Sequence, residues 1–136
     1  VLADVCPPAG WRLDPPKVTP QHVHKTWISP TGDTAYGVIR FQLPFPVPDE
    51  GALWGFMRSM RASEGEATLL EKKADPALPG IRFVAEGGLY KVRVNLTTSG
   101  ATGWAVYAGS LRARKENPAE LEQAIASREA TRFPRN

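Results

Sequence analysis

His22 and His24 stand two residues apart in a stretch rich in β-formers, so in a strand both imidazoles point to one face and could offer two nitrogen ligands to a metal ion. Two ligands do not complete a site. No Cys, Asp or Glu lies close by in sequence and the chain has no third histidine, so the pattern reads as surface histidines near a strand start. The same pair would be the usual base for a nucleophilic Ser, Thr or Cys, but no Gly-x-Ser-x-Gly elbow is present. Asp33, Glu64, Glu66, Asp75 and Glu86 could serve general acid and base chemistry, although turns and exposed strand positions supply solvated carboxylates of that kind in abundance. Gly100-Ala101-Thr102-Gly103 matches a nucleic-acid-clamping Gly-x-x-Gly loop only as a string, because that loop joins two helices and this one joins two predicted strands. Asn95-Leu96-Thr97 fits the glycosylation triplet but falls inside a predicted strand. The residues therefore assign no catalytic, cofactor-binding or metal site, imply no cofactor, and leave the binding residues open.

The elements that would position these groups are read from periodicity and punctuation. Residues 1–19 carry Pro7, Pro8, Pro15 and Pro16, which remove backbone donors, so they form an arm with at most a short edge strand at 11–13, pinned by Trp11. Residues 23–29 and 35–43 make a hairpin around Pro30-Thr31-Gly32-Asp33, and Pro44, Pro46 and Pro48 stiffen the connector that follows. Asp49 is expected to cap a helix over 50–63. Leu53, Phe56, Met57 and Met60 lie on one face of it, and Gly65 stops it. Trp54 lies off that stripe and is expected to pack under the proline connector.

Residues 67–72 can form a short strand, bounded by Asp75-Pro76 and Leu78-Pro79-Gly80. Three consecutive strands then fill 81–111. Ile81, Phe83 and Ala85 alternate with polar neighbours, as do Tyr90, Val92, Val94 and Leu96. Gly87-Gly88 is expected to supply the positive φ angles of a two-residue turn. A loop over 97–103 leads to a strand with Trp104, Val106 and Ala108 on one face and Tyr107 on the other. Asn117-Pro118-Ala119-Glu120 opens a helix over 117–133: Asn caps free amides, Pro preorganises the first turn, and Glu at N3 can return a bond to the cap. Leu121, Ala124, Ile125 and Arg128 share one face of that helix.

At 136 residues the chain suits one domain able to bury roughly 65 to 70% of its unfolded surface. Its 42% hydrophobic content and four tryptophans are those of a folded protein rather than a disordered tail. A formal charge of +3 permits weak attraction to anions. The charges are interspersed, however, and only Arg112, Arg114, Lys115, Arg128, Arg132 and Arg135 make a locally basic end. Stacking aromatics are not interleaved with them, so they read as a solvated face rather than a nucleic-acid footprint. Cys6 is the one cysteine, so no intramolecular disulfide can form. No apolar run approaches the ~20 residues of a membrane span. Val1-Leu2-Ala3 before Asp4 has the small-residue pattern that ends a secretory signal, which points to export to the periplasm or cell envelope of a bacterium.

Taken together, Pro8-Ala9-Gly10-Trp11, the strand around Trp27, the helix over 50–63, Gly80-Ile81-Arg82-Phe83, Tyr90-Lys91-Val92-Arg93 and the closing strand and helix resemble the PsbP-like superfamily. This fold is shared by a photosystem II extrinsic protein, a Ran-binding import factor and exported bacterial proteins. The resemblance implies a central antiparallel sheet with helices on its faces and a non-catalytic role in binding or assembly, with another protein as partner. It transfers no site residue, because members bind unrelated partners through different surfaces. The expectation is a single α+β domain over 1–136: an arm over 1–19, a twisted antiparallel sheet of about five to seven strands with one inserted helix over 20–111, and a C-terminal helix over 117–133. Its core is expected to hold Trp27, Val38, Phe41, Phe56, Met60, Phe83, Val92, Val94, Trp104, Val106, Leu121 and Ile125. Two other functions are compatible with this fold: a small-ligand carrier or enzyme with a cavity between sheet and helix, and a weak nucleic-acid binder using the basic end.

Overall fold

The computed structural model describes residues 4–74, 80–113 and 115–133. Within them the α+β expectation is met by one antiparallel sheet and two helices. The sheet has eight strands rather than five to seven: the arm supplies the short edge strand expected at 11–13 and a second strand that was not expected. Strands β1 (Arg12–Leu13) and β2 (Lys17–Thr19) both pair with β3 (His22–Ile28), one at each end of it. Together they are one edge strand interrupted at Asp14, Pro15 and Pro16, where proline cannot donate to a ladder.

β3 pairs with β4 (Thr34–Gln42), and the chain then leaves the sheet through the proline connector. Helix α1 (Asp49–Glu64) carries it to the far edge, where β5 (Ala67–Lys73) begins. β6 (Ile81–Gly87), β7 (Tyr90–Ser99) and β8 (Thr102–Leu111) meander back until β8 lies against β4, and helix α2 (Pro118–Ala130) closes the fold. The crossover puts α1 over β5, β6 and β7 on one face, while α2 lies over β4 and β8 on the other.

Two cores follow from strand alternation. Under α1, Leu53, Met57 and Met60 meet Phe83, Val94, Leu96 and Ala105; under α2, Leu121 and Ala124 meet Tyr36, Val38, Val106 and Ala108. Trp11 does pin the arm, as expected: it is buried beside α2 and its indole N–H donates to Gln123 Oε1 at 3.2 Å. Among the expected core residues, Trp27, Phe41, Phe56 and Ile125 are only partly buried, while Tyr36, Leu53 and Leu96 are fully buried without having been expected.

Local expectations are corrected at several points. Pro48 occupies the N-cap of α1 with no side-chain cap bond; Asp49 is the first helical residue, and its Oδ1 accepts instead from Thr98 N at 2.9 Å and Thr98 Oγ1 at 2.7 Å, tying the helix start to β7. The 97–103 loop is a tight turn at Gly100-Ala101, with Gly100 at φ 60°, since β7 and β8 pair down to Ser99 and Thr102. Gly87 and Gly88 do not have positive φ. They are needed because the end of α1 packs against them: a Cβ on Gly87 would sit 2.5 Å from Glu64 Oε1, and one on Gly88 would overlap the Glu64 carbonyl.

Asn117 caps α2, accepting from Glu120 N at 3.1 Å, but both oxygens of the Glu120 carboxylate turn to Thr31 in the β3–β4 turn. α2 ends at Ala130 rather than 133. Thr131 is extended and donates to Ser127 O, and Arg132 leaves the helix axis to bridge with Asp4. Trp54 is 51% exposed rather than packed under the connector. The turn signals at 75–79, the residues at 1–3, Arg114 and Arg135 lie outside the described residues.

Candidate functional site

The two helices are staggered, so each face of the sheet has a half that no helix covers. On the α1 face the uncovered half belongs to β3, β4 and the near part of β8, and between it and α1 opens a cleft of about 700 Å³. The helix wall is made largely of small residues: Ala52, Gly55, Ser59 and Ser63 line the cleft together with Phe56 and Met60. The contact residues Leu53 and Met57 sit one step round the helix and dock it onto β6 and β7, so the small side chains are left spanning open space.

The sheet wall holds the polar groups. Thr26, Gly37 and Tyr107 lie in register across β3, β4 and β8. Because Gly37 has no side chain, the Tyr107 ring lies across it, and a Cβ there would fall inside the ring. Its hydroxyl thereby crosses one whole strand to reach Thr26 Oγ1 at 3.0 Å and His24 Nε2 at 2.7 Å; Thr26 and His24 are themselves 3.0 Å apart. Phe41 covers Gly103 in the same way two rows along the same face. His22 stands edge-on to His24 with ring centroids 6.0 Å apart.

Electrostatics keep this cluster neutral. Burial, and then the neighbouring His22 and Lys17, push the His24 imidazolium down to about 4, so the ring is neutral at physiological pH. Burial pushes the Tyr107 hydroxyl up to about 12. Two hydroxyls and one imidazole nitrogen within 3.0 Å of one another can each give or take a hydrogen bond. The arrangement is suited to hold a ligand carbonyl, hydroxyl or amine beside the apolar residues Ile28, Ile39, Phe56 and Val92, while Asp14, Lys17 and Glu64 supply the charged part of the lining.

His24 is therefore not a surface histidine, contrary to the sequence reading; it is half-buried because β3 lies inside the edge formed by β1 and β2. The carboxylates singled out by sequence are not gathered at the cleft. Glu64 stands at its rim, accepting from Leu89 N at 2.9 Å and Tyr90 N at 3.0 Å to hold the β6–β7 turn, and Glu66 and Glu86 both pair with Arg112. Asp33 lies in the β3–β4 turn and Asp75 outside the described residues. Of the basic end, Arg112 and Arg128 are engaged in ion pairs, and Arg132 donates to the carbonyls of Glu129 and Thr131. Among the described residues, no three His, Cys, Asp or Glu side chains are grouped closely enough to hold a metal ion, and no helix is long and apolar enough to cross a membrane. Cys6 is exposed and free, and Asn95 lies mid-strand in β7.

Sequence reasoning missed Thr26, Tyr107 and the small face of α1 as parts of one site. The available signals were Gly37 in the middle of a strand and the helical spacing of Ala52, Gly55, Ser59 and Ser63. No protein-family model, curated protein or solved structure matches this chain.

Proposed function

We propose that this is a non-catalytic binding protein whose cleft between α1 and β3–β4 takes a small, largely apolar molecule carrying one neutral hydrogen-bonding group. The observation behind this reading is the cleft of about 700 Å³ with Tyr107, Thr26 and His24 converging on its sheet wall. That volume lies in the range of small-molecule sites, roughly 300 to 1,000 Å³, and apolar walls with a few convergent polar groups are their usual composition. The three converging groups are neutral and favour a neutral ligand group beside them, since a charge placed there would lose its hydration with no counter-charge among them; the charged lining residues are Asp14, Lys17 and Glu64. The PsbP-like resemblance belongs to the same proposal: it implies helices on the faces of an antiparallel sheet and binding rather than catalysis.

Titration with 1-aminoanthracene, an apolar fluorophore with a single amine, tests the reading. Saturable one-to-one enhancement is expected, weakened at least tenfold by Ser59→Trp, which fills the cleft from an exposed helix position. Absence of saturable binding, or equal binding by the filled variant, overturns it. The bet then returns to assembly with another protein, for which Phe45, 63% exposed, and Trp54 offer the large exposed aromatics.

A further inference from the structure

We infer that the opposite face carries a second, separate site: a carboxylate-binding groove between α2 and the half-face of β5, β6 and β7 that α2 leaves bare. The groove holds about 220 Å³ and is lined by Lys73, Arg82, Arg93 and Arg128, with Glu71 at its side and Val84 on its floor. Strand register produces it. Glu71, Val84 and Arg93 lie in one row across β5, β6 and β7, and Lys73 and Arg82 in the next, all pointing away from α1.

Two guanidinium donors on residues that line this groove are unaccounted for. Arg93 Nη1 and Arg128 Nε are both shielded from solvent and have no hydrogen-bond partner. A buried, unpaired charged donor costs more than most single contacts contribute, so such groups ordinarily face an acceptor. The rest of each side chain is engaged. Arg128 Nη2 meets Glu129 at 2.7 Å, and Glu129 in turn holds both Nη atoms of Arg82 at 2.7 and 2.9 Å. Arg93 Nη2 reaches Glu116 only loosely, at 3.6 Å. The side-chain oxygen of Asn95, two residues along β7 from Arg93, is also buried and unpaired, so a bridging water is the competing occupant.

Charge selects the kind of ligand. Four cations stand against three carboxylates that pair with them, Glu71, Glu116 and Glu129, which leaves one positive charge in excess. One excess charge complements a monoanion, and guanidinium N–H groups in a shallow groove match the planar oxygens of a carboxylate. The ligand class is a small organic acid, bound on the far side of the sheet from the apolar cleft and independently of it.

The test is a titration of the full chain with acetate, acetamide and inorganic phosphate at constant ionic strength, following the Arg Nε–H resonances. Acetate is expected to shift Arg93 and Arg128 saturably in the millimolar range while leaving Arg61 on α1 unmoved; acetamide shifts none of them. Arg93→Met is expected to weaken acetate at least tenfold, and Arg93→Lys to retain part of the affinity. Because the wild-type resonances report directly, the test does not depend on the variants folding. No saturable shift, a shift shared by Arg61, or unchanged affinity in Arg93→Met overturns the site in favour of bridging water. Phosphate binding more tightly than acetate overturns the carboxylate assignment.

Discussion

The two bare half-faces of the sheet are made by the same construction and come out chemically opposite. Each is the part of one face that a single helix does not reach, and each is floored by alternate residues of neighbouring strands. On the α1 side those residues are Ile39 and the mutually hydrogen-bonded His24, Thr26 and Tyr107; on the α2 side they are Glu71, Lys73, Arg82 and Arg93, of which Glu71 pairs with Lys73, Arg82 with Glu129 and Arg93 with Glu116. The difference lies in what borders each opening. Small residues of α1 leave a deep cleft where burial suppresses charge, whereas α2 presents Arg128 and Glu129 to a shallow groove where paired charges stay partly wet. One sheet can thus carry two independent surfaces, with character set by the helix face opposite each.

The largest expected effect comes from removing the anchor of α1. Leu53 is fully buried among β6, β7 and β8, so Leu53→Ala should cost about 2 to 5 kcal/mol by lost transfer and cavity formation. Fluorophore binding in the cleft should fall with it under native conditions, while acetate binding to the α2-side groove persists wherever the domain stays folded. Loss of both together, measured at a temperature where circular dichroism is native, would break the independence of the two faces.

The next effect is a pH dependence confined to the cleft. His24 titrates near 6.5 in the unfolded chain and at about 4 in the folded one. Between those values the unfolded chain takes up a proton that the folded chain refuses, so stability is full above about pH 6.5. It should fall by about 3 kcal/mol as pH drops to about 4. His22, Lys17 and the hydroxyls of Tyr107 and Thr26 face the ring; none supplies a negative charge to offset this. His24→Gln should flatten urea-unfolding stability between pH 6.5 and 5. Glu120 and Glu129, both held below the usual carboxylate range by hydrogen bonds that outweigh their burial, lose stability only below about pH 4.5, so the arginine groove should contribute no slope in that upper interval.

A smaller effect, about 1 to 3 kcal/mol, is expected for Gly37→Ala, because the added methyl meets the Tyr107 ring where β4 has no room to move between β3 and β8. Displacing the ring should also weaken the fluorophore.

Much of the fold was legible because periodicity is a local signal. The three strands over 81–111 and the Asn117-Pro118 helix start are found within two or three residues of where their patterns place them. Of the two arm strands only the edge strand at 11–13 was legible; β2 was not, since its three residues carry no period. The site was hidden as well. Thr26 and Tyr107 are 81 residues apart and meet only because Gly37 stands between them, and Arg93 meets Arg128 only through the sheet-to-helix stagger. Glycines read as turn formers at 87 and 88 are close-approach residues, a distinction that depends on what packs against them.

The smallest expected effect bears on the charged half of the comparison. The Arg82–Glu129 pair is bidentate, with N–O distances of 2.7 and 2.9 Å, yet its side chains are 35% and 40% exposed, so solvent screens it. A double-mutant cycle with Arg82→Met and Glu129→Gln should give a coupling of about 0.5 kcal/mol at low salt, and less at high salt. The same cycle read through acetate binding should give a different answer. Removing Glu129 frees Arg82 and Arg128 together and raises the positive excess of the groove, so Glu129→Gln should tighten acetate several-fold while barely changing stability. If acetate affinity instead falls with Glu129→Gln, the carboxylate is holding the arginines in place rather than competing for them, and the groove is a closed ion-pair network.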